Sequence, residues 1–108
     1  MTKLAVVDAG PLYAAADADD ADHASSLAAL SRQDLRLVVP ALVVAEATYF
    51  VGRRLGAAAE YADLPLGGTD ASIIALAERL DTPIVVTLDR RHFGAVKPRH
   101  REAFEILP

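Results

Sequence analysis

The sequence contains no cysteine among its 108 residues. Without thiols, it has no disulfide, no thiolate metal site and no nucleophilic cysteine. Long apolar runs are also missing, because the N-terminal run from Leu4 to Val7 is far shorter than the core of a secretory signal. No apolar stretch approaches the length that a membrane-spanning helix needs. We therefore expect a soluble, cytoplasmic protein that does not interact with a membrane.

Basic residues are outnumbered by acidic ones, and the net charge is −4. This balance argues weakly against a nucleic-acid-binding protein, since contacts to phosphates normally need a basic surface. The distribution of charge softens the objection, because acids concentrate in residues 17–22 and a basic stretch follows Asp89: Arg90, Arg91, His92, Lys97, Arg99, His100 and Arg101. Arg90, Arg91 and His92 are candidates for contacts to RNA phosphates. A solvated loop explains the same pattern.

Short apolar strands alternate with helical patterns along the whole chain, which predicts a single folded domain over residues 1–108. Helices are expected after the Gly10-Pro11 pair, behind the caps Asp22 and Thr69, and directly after Pro40. The predicted strands cover residues 4–7, 35–39, 84–88 and 103–107, and the predicted helices end near residues 16, 33, 55 and 80. This alternation is typical of a three-layer α/β/α fold with a mostly parallel central sheet.

Four acids occupy positions that matter in such a fold. Asp8 and Asp89 each follow an apolar strand, Asp70 opens a helix, and Glu46 lies inside an apolar helix. The functional crevice of an open parallel sheet lies outside the carboxyl ends of its strands. Carboxylates brought together repel one another unless a cation neutralises them, and oxygen ligands favour Mg²⁺ or Mn²⁺. The pattern therefore predicts a metal-dependent phosphodiester hydrolase.

Each acid also has a local explanation. Asp8, Asp70 and Asp89 are suited to helix capping, to the first turn of a helix or to a turn. Glu46 is harder to explain, because an unpaired carboxylate on a buried helix face is costly. The arginines at positions 53 and 54 are too far along the helix to be good partners for it.

Two further residues are candidates for supporting roles. Thr87 lies two positions before Asp89, so both side chains fall on one side of the strand and the hydroxyl is able to orient Asp89 or a metal-bound water. A β-branched residue that simply favours the strand is the alternative. Asp63 is either a further supporting acid or an ordinary loop residue. The three histidines show no metal-ligand spacing and are expected on the surface.

Four segments in chain order resemble the motifs of PIN-domain ribonucleases, and in particular the VapC-type toxins of bacterial toxin–antitoxin pairs. They cover residues 6–12 (VVDAGPL), 39–46 (VPALVVAE), 67–73 (GGTDASI) and 87–93 (TLDRRHF). The resemblance makes Asp8, Glu46, Asp70 and Asp89 a metal-binding quartet, with Thr87 as the hydroxyl residue that supports the last acid. It also implies Mg²⁺- or Mn²⁺-dependent cleavage of RNA by water, a cognate antitoxin and a homodimer.

The chain departs from that family between the Glu46 helix and the Asp70 helix. Family members place a helix, a short strand and another helix there, whereas here residues 56–60 run almost directly into residues 61–65. The sequence is therefore expected to be shortened internally, at the cost of a sheet edge and part of the dimer surface.

Two other functions remain alternatives. A phosphoacceptor response-regulator domain also gathers acids at strand ends and uses a Lys-Pro pair such as Lys97-Pro98, but it needs an acidic pair where Asp8 is followed by Ala9. The second alternative is a shortened PIN fold that has lost turnover and serves as a partner- or RNA-binding module.

Overall fold

A computed structural model describes residues 2–54 and 69–108. In these ranges four strands and five helices alternate. The strands are β1 (Lys3–Val7), β2 (Leu35–Val38), β3 (Ile84–Val86) and β4 (Glu105–Leu107). The helices are α1 (Ala9–Ala16), α2 (His23–Leu30), α3 (Ala41–Arg54), α4 (Thr69–Arg79) and α5 (Arg90–Ala95).

The four strands form one sheet in the order β2-β1-β3-β4, and every neighbouring pair is parallel. Val6 of β1 is in register with Val38 on one side and with Val85 on the other. The sheet is flanked by helices, so its inner strands are buried on both faces, which explains their continuous apolar sequences. The predicted α/β fold is confirmed, and the sheet in the described residues is wholly parallel.

Alternate residues of the inner strands build two apolar layers. Val6 and Val85 pack on one face against α3, α4 and α5, through Val43, Ile73 and Phe93. The opposite face packs against α2, and its core consists of Ala5, Val7, Ala29, Leu35, Ile84 and Val86. Because α3 and α4 bury one side each on the same face of the sheet, both helices are fixed beside the carboxyl end of β1.

Several predicted boundaries need correction. The strand predicted over 84–88 ends at Val86, since the backbone N–H of Thr87 makes a last bond to the Leu107 carbonyl oxygen at 2.7 Å and the chain then turns into α5, which Asp89 caps. The last strand begins at Glu105 rather than 103, since Phe104 packs edge-on against Phe93 in the core, with ring centroids 6.1 Å apart. The strand predicted to residue 39 ends at 38 and the helix predicted to residue 33 ends at 30. The region 90–101, expected to be a loop or a short helix, contains α5.

Some predictions fall outside the described residues. These are the helical extension over 57–62, the loop over 63–68 with Asp63, the cap at Gly56 and the internal shortening. The single domain over residues 1–108 also stays a prediction. No helix in the described ranges is long and apolar enough to cross a membrane.

Candidate active site

The four predicted acids surround one cavity at the carboxyl end of the sheet. Asp8 directly follows β1 and Asp89 lies just beyond β3, and these neighbouring strands flank the point where the strand order changes direction. Glu46 reaches the same place from α3 and Asp70 from the first turn of α4. The cavity has a volume of ≈ 530 Å³, and its lining is Asp8, Gly10, Glu46, Phe50, Asp70, Leu88 and Asp89.

Asp8 is buried and held by two hydrogen bonds. One carboxylate oxygen accepts from the backbone N–H of Ala9 at 2.7 Å and so caps α1, while the other accepts from the Thr87 hydroxyl at 2.7 Å. Only 8% of the residue is exposed. A carboxylate has about four acceptor positions, so two such bonds leave capacity for a ligand on the cavity side.

Thr87 connects the two strand-end acids. Its hydroxyl donates to Asp8 and accepts from the backbone N–H of Asp89 at 3.0 Å. The sequence predicted that this hydroxyl orients Asp89 or a metal-bound water, and in the structure it contacts the backbone of Asp89. The Asp89 side chain instead caps α5 by accepting from the N–H of His92 at 3.0 Å. Asp8 and Thr87 are 79 residues apart, so no sequence spacing indicated their contact.

Glu46 is the least compensated of the four acids. Burial raises its pKa, the neighbouring Thr69 hydroxyl acts in the opposite direction, and the charges of Asp8 and Asp70 raise the pKa further. Oε2 of Glu46 and Oγ1 of Thr69 are both buried, and neither has a hydrogen bond of good geometry with any atom of residues 2–54 and 69–108. Glu46 therefore presents a partly desolvated carboxylate to the cavity.

Asp70 is partly exposed and lies beside a histidine. Burial and the charge of Asp8 raise its pKa, His92 lowers it, and Asp89 contributes a further rise. His92 Nε2 is 3.5 Å from Asp70 Oδ2. His92 was predicted to touch an RNA phosphate, and the structure places its ring against a site carboxylate.

The donor set suits a hard divalent cation. All four side chains offer carboxylate oxygens, which Mg²⁺ and Mn²⁺ prefer, and the buried Oε2 of Glu46 has no partner among the described residues. In the described ranges, however, no three acidic or imidazole side chains stand close enough together to form a coordination group. The residue types fit the metal, and their side chains need to move closer to one another to hold it.

The basic stretch is largely engaged with the protein itself. The Arg90 guanidinium donates to the carbonyl oxygens of Ile106 and Pro108. Arg101 pairs with Asp81 at 2.8 Å, and Lys97 pairs with Glu102 at 3.5 Å. Arg91 is exposed and makes no ion pair or hydrogen bond with another described side chain. The RNA-binding role of Arg90, Arg91 and His92 stays a prediction.

Three smaller expectations were wrong and one is confirmed in part. Thr69 was predicted to cap α4 from outside, but it lies within the helix and its hydroxyl makes no capping bond to the described backbone. Asp22 occupies the N-cap position of α2, as predicted, although its side chain makes no capping bond. His23 and His100 were expected on the open surface, yet both are partly buried and bond the carbonyls of residues 14 and 82 at 2.9 Å and 2.7 Å. Local sequence does not show such long-range partners.

Comparison with known proteins identifies a relative that spans the chain. No model of a protein family matches the sequence. The chain is 31% identical to Ribonuclease VapC26 of Mycobacterium tuberculosis, over an alignment that covers 95% of this chain and 99% of the relative. The alignment runs over 134 positions although this chain has 108 residues, so the relative carries residues that have no counterpart here.

Proposed function

The chain belongs to the VapC family of ribonucleases, and we propose that it is a Mg²⁺- or Mn²⁺-dependent endoribonuclease that acts as the toxin of a type II toxin–antitoxin pair. The observation that carries the proposal is the convergence of four carboxylates, from two strand ends and two helices, on one cavity. Like charges that face one cavity are stabilised when a cation binds among them. RNA, with its phosphodiester backbone, is the substrate that this site would take.

The four acids, Thr87 and Arg91 would have different roles in this reaction. Asp8, Glu46, Asp70 and Asp89 would hold the cation, which when bound supplies Lewis-acid chemistry that activates water and offsets negative charge on the phosphoryl oxygens. Thr87 keeps Asp8 in place, so this carboxylate is oriented before any ligand arrives. Arg91 is exposed one residue beyond the start of α5 and would contact a neighbouring phosphate.

The proposed partners are a cognate antitoxin and a second copy of the chain. Both would need apolar surface, and large apolar side chains are exposed around the start of α3. Val39 is 36% exposed, Leu42 38% and Val44 51%. Burial of such side chains is what protein–protein contacts use.

Cleavage of a random-sequence RNA pool by the purified protein, with Mg²⁺ or Mn²⁺ and with an EDTA control, tests the proposal. Asp8→Asn, Asp70→Asn and Asp89→Asn should each lower the rate at least about a hundredfold, since the amide keeps the shape but removes charge that the cation needs. Asp34→Asn is the matched control, because Asp34 is an exposed acid paired with Arg32 at 2.7 Å.

Full metal-dependent activity in any two of the three site variants would contradict the quartet. RNA binding by the wild-type protein without cleavage under any metal condition would instead favour the non-catalytic binding module.

A further inference from the structure

The hydroxyl of Thr69 is buried at the start of α4 and makes no hydrogen bond with the described residues. The residue is 1% exposed at the start of α4, and its backbone carbonyl accepts from the Ser72 hydroxyl at 2.7 Å. Its own Oγ1 is buried and has no hydrogen-bond partner among the described residues. A buried hydroxyl that makes no hydrogen bond lowers the free energy of unfolding, so a nearby acceptor for this hydroxyl would stabilise the protein.

The neighbour of this hydroxyl is the Glu46 carboxylate, across the contact between α3 and α4. Oε2 of Glu46 is likewise buried without a partner in the described ranges. A hydroxyl is able to donate to a carboxylate, so a small rotation of either side chain satisfies both atoms.

Glu46 needs such a partner more than the strand-end acids do. Asp8 is fixed by two hydrogen bonds and Asp89 by the N–H of His92, and aspartate has a short side chain. Glutamate has one more rotatable bond, and ordering it costs more conformational entropy. A donor that holds the carboxylate would reduce the cost of bringing it to a ligand.

We infer that Thr69 is a positioning residue, whose hydroxyl donates to the Glu46 carboxylate and holds it toward the cavity as a ligand for the divalent cation. The inference rests on the proposed metal-dependent function. A group that hydrogen-bonds to a metal-ligating side chain orients that side chain and contributes strongly to metal affinity. The assignment differs from helix capping, which would direct the same hydroxyl to the backbone of α4.

Mn²⁺ affinity, measured from the EPR signal of free Mn²⁺, tests the inference without using activity. Thr69→Val should weaken Mn²⁺ binding about tenfold, because it keeps the shape but removes the donor. Thr69→Ser keeps the hydroxyl and should stay within about twofold of the wild type. In a Glu46→Gln background, Thr69→Val should change the affinity less than about twofold, because the two residues act as a coupled pair.

Any other outcome would contradict the inference. Equal losses from Thr69→Val in both backgrounds, or equal losses from the Ser and Val variants, would assign Thr69 a structural role and overturn the inference. No loss from Thr69→Val would overturn it as well. If circular dichroism shows that the Val variant does not fold, Thr69→Ala takes its place in the same comparison. A wild-type protein that binds no Mn²⁺ would refute the proposed function itself, and the inference with it.

Discussion

Asp8 uses its two carboxylate oxygens for two different partners. One caps α1 through the N–H of Ala9 and the other accepts from Thr87, while the side chain also lines the cavity. Helix capping and a place in the site looked like competing explanations in the sequence. The structure satisfies both, because capping leaves lone pairs of the carboxylate available. The N-cap position of Asp8 therefore does not exclude a role for its carboxylate in the candidate site.

Removal of the Thr87 hydroxyl tests how strongly this arrangement depends on it. Thr87→Val should lower the free energy of unfolding by about 1–3 kcal/mol, because the buried Asp8 carboxylate and the N–H of Asp89 both lose a partner. Urea denaturation at neutral pH gives the value. Thr48→Val is the matched control, since Thr48 is exposed on α3 and should change stability by less than about 0.5 kcal/mol. Equal losses in the two variants would show that the Thr87 bonds contribute nothing particular.

At the scale of elements, hydrogen bonds of one arginine side chain connect α5 to the last strand. Arg90 at its first position donates to two carbonyls around β4, which links the helix to the edge of the sheet. Arg91, the next residue, has no such contact among the described residues. The two adjacent arginines therefore make different contacts, although both belong to the same basic stretch of the sequence.

This difference leads to a paired prediction. Arg91→Ala should weaken RNA binding and reduce the slope of log K against log salt by about 0.7, the loss expected for one phosphate contact on a single strand. Arg90→Ala should change that slope less, because its guanidinium is already bonded to two carbonyl oxygens, and it should also reduce the free energy of unfolding by up to about 1 kcal/mol, because these bonds are at the surface. Fluorescence anisotropy with RNA at several salt concentrations, together with urea denaturation, measures both effects. An equal change of slope in the two variants would contradict the division of roles.

The sequence predicted elements better than contacts. It placed the start of α3 at the observed residue, because apolar side chains recur at helical spacing from Ala41 onward. It also identified all four acids that line the cavity, since each stands at a strand end or on a helix beside one. The contact of Thr87 with Asp8 and those of Arg90 with the carbonyl oxygens around β4 were not predictable, because they join elements that are distant in sequence and meet only in the packed fold. Strand ends were misplaced for the same reason.

At the scale of the whole molecule, acidic side chains converge in a protein that already carries a net charge of −4. Such convergence opposes folding through charge repulsion, and a ligand that binds only the folded state offsets it. The fold and the proposed metal site are therefore coupled, and the coupling is measurable as stability.

Mg²⁺ should raise the free energy of unfolding by about 2.7 kcal/mol when its concentration is a hundred times the dissociation constant. Urea denaturation in MgCl₂, compared with NaCl at the same ionic strength, measures the gain. Asp8→Asn should show a much smaller gain, because the site loses a ligand, whereas Asp34→Asn should keep it in full. The same gain in wild type and Asp8→Asn would mean that Mg²⁺ acts through general screening.

The first strand of the chain lies in the middle of the sheet, and this has a consequence during translation. A ribosome makes Asp8 and Glu46 before β3, which pairs with β1 and leads to Asp89. The Thr87 hydroxyl reaches Asp8 across 79 residues, so it is made well after its partner. A protein that we propose to cleave RNA therefore cannot assemble the proposed site until translation has passed Asp89.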